Sequence, residues 1–421
     1  MSQINEDEAV RLLSQLLSIK AVGGEEHEIG EFVSKKLKEM GLRVDTFTID
    51  PHRDPSFPKI EGRPVLLGYV DGANPRPCLL LEGHMDTVPA GEMSEWKFDP
   101  WSGRVDSGYI LGRGATDSKG SLAAMMIAAN AIRKSGLNLK GTLALAATSG
   151  GEYGGAGWNL LVDKGITDRV DWVIAGECTG DSEIGIAYPG SVMWEIQTVG
   201  KTGHVTSYYE YPDKIINAIL KMSRFLSLVE SEGQKLFPHR EHPYLFSAPY
   251  VSSIEGSAET ITLVPDRCRT RMWTTMVPGQ TVQDIENDLR NALDNIRKED
   301  PQFSYEIRLL TPEVEPGMAP SRRYNRLPYE VSPDDPVVTA LSEATLEVTG
   351  KRPRLARFTG WWDSVSQIAM YAEMLHKHVP SGATFGPGDT SLPHAPNEKL
   401  GIRQLVDAAK IYALVCVKLL L

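Results

Sequence analysis

His84, Asp86, Asp117, Glu152, Glu177 and His394 are the residues of this sequence whose types and settings could do chemistry. His84 ends the apolar run CLLLEGH, and Asp86 follows two positions on. An imidazole at a strand end with a nearby carboxylate can supply a metal ligand and the group that orients it. Asp117 sits in LGRGATDSKG, crowded by Gly112, Gly114 and Gly120 just before a helix. A helix N-cap is the plainer reading of such an aspartate; the glycines also permit the close approach a metal bridge needs. Glu152 is a lone acid among the glycines of SGGEYGGAG, after a buried strand, where a solvated loop glutamate is the ordinary alternative. Glu177 tips the strand DWVIAGE, and His394 stands in SLPHAPNEKL ahead of the last helix. Two imidazoles and three carboxylates form a nitrogen and oxygen donor set suited to one or two divalent ions, zinc first, or manganese or cobalt.

These residues need a scaffold, and the hydrophobic pattern supplies one. Residues 6–20 and 26–41 repeat as amphipathic helices. RVDTFTID alternates as a strand, whereas PVLLGYV, CLLLEGH, GTLALAATS and DWVIAGE are continuous apolar runs of the kind buried strands show. SLAAMMIAANAIRKSG is a helix with Gly136 as its C-terminal stop. Strands alternating with helices predict an α/β layer around a mixed, largely parallel sheet flanked by helices. The order β-α-β-β-α-β follows between about 191 and 310, with its first helix near 212–229 and its second near 280–297. This is a ferredoxin-like α+β unit inserted into the first domain. Residues 313–336 read as a Pro-rich linker, and helix and strand alternation then resumes. The predicted domains are therefore 1–187 with 313–421, and 188–312.

Bulk properties exclude other classes. A chain of 421 residues with 41% hydrophobic side chains has material for two cores rather than one. A net charge of −11 and the lack of any basic run argue against nucleic acid as a partner. The four cysteines are scattered without metal or redox spacing and read as free thiols. No apolar run approaches the ~18–20 residues of a membrane span. The acidic, amphipathic start is not a signal peptide, so a cytoplasmic location is expected.

The series GHMDTVP, GRGATDSKG, a glycine-flanked glutamate, GECTG and PHAPNE resembles the metallopeptidase family of aminoacylase, acetylornithine deacetylase, succinyl-diaminopimelate desuccinylase and carboxypeptidase G. The resemblance implies hydrolysis of a C–N bond in a small carboxylate-bearing substrate by metal-bound hydroxide. It implies that Asp117 bridges two metals, that His84 and Glu177 complete one site, and that Glu152 and His394 complete the other. Asp86 would orient His84, and the inserted domain would be a lid and dimerisation unit giving a homodimer or higher oligomer. His204, in GKTGHVTSYY, matches a histidine that stabilises oxyanion charge in a neighbouring subunit's site, and Arg271 matches an arginine that takes substrate carboxylate.

Two departures stand out. The family has two adjacent glutamates where this chain has Gly151-Glu152. Aligning the glycines puts the general-base position on Gly151, and Gly151→Glu is expected to restore a base. A register shifted by one would make Glu152 the base and Tyr153 a ligand, poorer chemistry for a hard divalent ion. Trp361 and Trp362 are bulky where relatives are small. They read equally as core packing or as an aromatic wall of the substrate pocket. Together these departures admit an alternative, hydrolytic deamination of an electron-poor aromatic amine, as in the family's outlying 5-nitroanthranilate aminohydrolases. A noncatalytic metal-binding or assembly protein is the other alternative, although five retained ligands argue against it.

Overall fold

The structure is a computed structural model that describes residues 3–50, 62–238, 242–311, 326–358 and 364–421. Trp361, Trp362 and most of the predicted linker lie outside the described residues. The chain divides into two compact units, Met1–Ala187 with Glu330–Leu421, and Tyr188–Tyr329.

The first unit is built on a mixed sheet. Its strands run in the order Arg43–Thr48, Pro64–Val70, Thr142–Thr148, Cys78–His84, Trp172–Ala175, Ser381–Gly386 and Gly180–Tyr188. The four in the middle of this order are parallel: Cys78–His84 pairs with Thr142–Thr148 and with Trp172–Ala175, which pairs with Ser381–Gly386. Every residue of Cys78–His84 and Thr142–Thr148 is buried, which is why these strands read as unbroken apolar runs. The Lys119–Ser135 helix packs on this sheet and against the Glu6–Ser18 and Ile402–Leu420 helices. It stops where Gly136 turns left-handed, with φ +67°. A small sheet of Lys399–Gly401, Tyr109–Leu111 and Arg104–Asp106 lies beside these elements.

The second unit has the order Gly190–Val199, helix Ala218–Glu232, Pro249–Glu255, Arg267–Met276, helix Val282–Glu299, Ser304–Leu309. This is the predicted β-α-β-β-α-β order. Its antiparallel sheet has Arg267–Met276 and Gly190–Val199 in the middle. Trp194, Phe225, Met272, Leu289 and Phe303 form part of its core. The first helix begins at Ala218 rather than near 212, because the Asn217 side chain accepts from the N–H groups of Ile219 and Leu220 and fixes the start there. Among the described residues, no helix is long and apolar enough to cross a membrane.

Candidate metal centre

Parallel strands deliver their carboxyl ends to one edge of the first unit, where ligands of open α/β sheets gather. His84 is the last residue of its strand. Asp117 lies one residue before Ser118, the N-cap of the Lys119–Ser135 helix, so it is not the cap itself. The Ser118 hydroxyl accepts from the His84 N–H and donates to the His84 carbonyl, tying that loop to the strand end. Glu152 lies in the turn after Thr142–Thr148, and Glu177 follows Trp172–Ala175. His394 lies in the loop between Ser381–Gly386 and Lys399–Gly401.

The five side chains converge. Asp117 stands between the imidazoles, with Oδ1 3.1 Å from His84 Nε2 and Oδ2 3.2 Å from His394 Nε2. Glu177 comes within 3.7 Å of His84 Nε2, and Glu152 within 3.0 Å of His394 Nε2. One donor atom each from His84, Asp117 and Glu152 lies within 4.8 Å of the others. The His84 side chain is 3% exposed and that of His394 54%, so the centre opens to solvent on the His394 side.

Electrostatics favour a cation here. Burial and the neighbouring Asp117 push Glu152 up to about 7. Burial drives Glu177 well above the carboxylate range. Burial alone would also raise Asp117, but the two imidazoles hold it below its ordinary value. Burial pulls His84 down; Asp117, Glu177 and Asp86 overcome this and hold it well above the usual imidazole value. Hydrogen bonds that its ring N–H donates to Asp117 and Glu152 bring His394 up to about 10. A divalent cation bound among these groups would compete with protons for the same donor atoms. The donor set fits such an ion.

Asp86 acts through different atoms from those its sequence position suggests. The His84 Nδ1 is held by the Asp86 backbone carbonyl at 2.9 Å, while the carboxylate is 3.8 Å away. That carboxylate accepts instead from the N–H groups of Gly150, Gly151 and Glu152, at 2.7, 3.0 and 3.0 Å. Three consecutive amides converge on it because the glycines leave the turn free to fold inward. Gly151 itself faces His84: a β-carbon there would lie 2.4 Å from His84 Cγ.

The remaining candidates belong to the second unit. His204 is exposed, and its Nδ1 lies 2.7 Å from the Thr206 hydroxyl. Arg271 contacts the buried Glu195 at 3.4 Å, and Arg308 contacts the other oxygen of Glu195 at 2.6 Å. Two further residues, Arg113 and Glu398, lie beside the centre. They form an ion pair of 2.7 Å with both side chains buried. Their signal was present in GRG and PNE, but nothing local in either motif shows that they meet.

Comparison with known proteins places the chain in a family. The profile described as Peptidase family M20/M25/M40 matches residues 80–418. A probable succinyl-diaminopimelate desuccinylase of Staphylococcus aureus (strain Mu50 / ATCC 700699) is 28% identical over 256 residues, 61% of this chain and 60% of that protein. The chain therefore spans about three fifths of the length of that relative. The succinyl-diaminopimelate desuccinylase of Methylocella silvestris is 27% identical over 421 residues, 96% of each chain. In fold, the chain is similar to aminopeptidase PepT from Bacillus cereus ATCC 10987, with TM-score 0.72 at 19% identity over 99% of both chains. It is also similar to the Bacillus subtilis YXEP protein, described as a dinuclear metal binding peptidase, with TM-score 0.68 at 15% identity over 99% of this chain and 98% of that one. The chain belongs to the peptidase family M20/M25/M40.

Proposed function

We propose that this protein hydrolyses the C–N bond of a small, carboxylate-bearing amide, with N-succinyl and N-acetyl amino acids the first class to test. The observation that carries this reading is the position of Asp117, whose two oxygens each face a different imidazole. Asp117 would be shared between two ions, one also held by His84 and Glu177, the other by Glu152 and His394. Zinc, manganese and cobalt all suit these donors. Such ions supply Lewis-acid polarisation of the electrophile and make water nucleophilic near neutral pH.

The chain's own groups do the rest. The Asp86 carbonyl keeps the proton on His84 Nδ1, which leaves Nε2 as the donor atom facing Asp117 and Glu177. The Asp86 carboxylate holds the turn that presents Glu152. We assign the second unit the role of lid and dimerisation domain, with His204 stabilising developing oxyanion charge and Arg271 taking the substrate carboxylate. The names of the desuccinylase relatives support an N-acyl substrate bearing a second carboxylate.

The test is amine release from N-succinyl and N-acetyl amino acids and dipeptides, and ammonia release from carboxylated aromatic amines. It is run with protein loaded with Zn(II), Mn(II) or Co(II), and with chelated protein. Metal-dependent turnover of the N-acyl substrates is the expected result. Undiminished turnover in chelated protein would overturn the metal reading. Turnover confined to the aromatic amines would overturn the substrate class.

A further inference from the structure

The small antiparallel sheet fixes an unusual meeting. Its register pairs Lys399 with Leu111 and Leu400 with Ile110. The residues just beyond this pairing, Glu398 and Gly112, join through the Gly112 N–H and the Glu398 carbonyl at 3.0 Å. Arg113 and Glu398, 285 positions apart in sequence, are thereby brought face to face in a dry setting.

Their hydrogen bonds reach the two loops that carry candidate ligands. The Glu398 carboxylate gathers the Asp117 loop: Oε1 accepts from the N–H groups of Thr116 and Asp117 at 2.8 and 3.1 Å, and from the Thr116 hydroxyl at 2.8 Å. Oε2 accepts from the Gly114 N–H at 2.9 Å and from Arg113 at 2.7 Å. The Arg113 guanidinium turns the other way and donates to the carbonyls of His394 and Ala395, both at 3.1 Å. The planar guanidinium, with five donors in a fixed fork, holds a carboxylate and two carbonyls at once. The loop it holds is strained: His394 has φ +63° and Asn397 φ +64°, a region that side-chain-bearing residues seldom occupy without support.

We propose that Arg113 and Glu398 are positioning residues that clamp the Asp117 and His394 loops to each other and so set the metal affinity of the centre. Glu398 fixes the backbone N–H of Asp117, and Arg113 fixes the backbone carbonyl of His394. The spacing between these two ligands therefore follows the pair. This inference rests on the reading of the centre as a metal site.

The experiment is titration of metal-free, full-length protein with Mn(II). The proteins compared are wild type, Glu398→Gln, Arg113→Lys, Thr116→Val, His394→Ala, and His394→Ala combined with Glu398→Gln, with folding checked by circular dichroism. Glu398→Gln and Arg113→Lys are expected to weaken Mn(II) binding ~10–100-fold, the usual cost of losing a group that orients a ligand. Thr116→Val, which removes one bond and keeps the side-chain shape, is expected to cost a few-fold. In the His394→Ala background the Glu398→Gln penalty should shrink at least threefold, because one of the two clamped ligands is gone. A pair that merely stabilises the fold would lower the melting temperature and leave the affinity of folded protein alone. Binding by folded Glu398→Gln and Arg113→Lys within twofold of wild type would thus overturn the inference while sparing the metal reading. Should those two not fold, unchanged affinity in Thr116→Val would overturn it. Absence of Mn(II) binding by wild type would overturn both.

Discussion

The His84 ring packs directly on the backbone of Gly151, where a β-carbon would lie 2.4 Å from its Cγ and 2.6 Å from its Cβ. His84 is buried and held at Nδ1 by the Asp86 carbonyl, so it has little room to give. The sequence alone suggested that Gly151→Glu restores a general base; the geometry corrects this. A side chain here displaces His84 before it can reach any substrate. Gly151→Ala should weaken Mn(II) binding by roughly tenfold, and Gly151→Glu by more, each with a matching loss of amide hydrolysis. Metal titration beside a hydrolysis assay checks this. Faster hydrolysis of N-acetyl amino acids by Gly151→Glu with metal content intact would show that the packing yields easily.

Asp86→Asn separates two jobs that one residue performs. Its carbonyl, which fixes His84, is untouched. Its carboxylate accepts three backbone N–H groups, and an amide there must turn its own N–H₂ towards at least one of them. A buried donor left without an acceptor costs about 1–3 kcal/mol. The turn carrying Glu152 should loosen, the melting temperature should fall, and metal binding should weaken mainly at the position served by Glu152 and His394. A stoichiometry falling from two ions towards one would report this. Unchanged stability and stoichiometry would mean that the turn holds itself.

The sheet and the convergence of donors were readable because their signals are local. Unbroken apolar runs announce strands buried on both faces, and His84, Glu152 and Glu177 each follow or end such a run. The strand Gly180–Tyr188 gives no clear strand signal, because GDSEIGIAY opens with polar residues that hide its buried half. The helix Pro336–Thr349 lay unmarked within the alternation expected after the linker, although its Asp335 cap, Pro336 at the first turn and Gly350 at the end are local signals. Which atoms of Asp86 do the work is decided by a backbone path that residue types do not encode. The meeting of Arg113 with Glu398 depends on strand register across nearly the whole chain, and no window of sequence contains both.

A shared active site would show itself in mixed oligomers. If His204 of one subunit serves the centre of another, His204→Ala and Asp117→Ala chains are each inactive alone but complementary together. Each hybrid dimer keeps one complete site of two, so isolated hybrids should regain up to about half the wild-type rate, and an unseparated mixture of randomly assorted dimers about a quarter. Co-expression with two tags isolates the hybrids, and amine release measures them. Hybrids shown to form yet without activity would sink the shared-site reading.

The second unit carries a pH-sensitive tie of its own. Lys221, on the Ala218–Glu232 helix, reaches Asp300 at the end of the Val282–Glu299 helix, with Nζ 2.6 and 2.9 Å from its oxygens. Both side chains are largely buried. Burial alone would raise the Asp300 pKa, but the Lys221 ammonium, the Gln302 N–H and Arg224 hold it below the ordinary value. A depressed carboxylate stabilises the folded state fully above its unfolded pKa of ~3.9, and that stabilisation is lost as pH falls through the lower folded value. Lys221→Met should therefore destabilise the protein by about 1–3 kcal/mol at pH 7, as expected for a charge-assisted hydrogen bond. The gap between wild type and variant should narrow once the pH drops below about 4. Urea unfolding of metal-free protein, followed from pH 7 to pH 3, measures both quantities and keeps metal release out of the comparison. A gap that stays constant across this range would show that Lys221 stabilises by packing its aliphatic stem rather than by its charge.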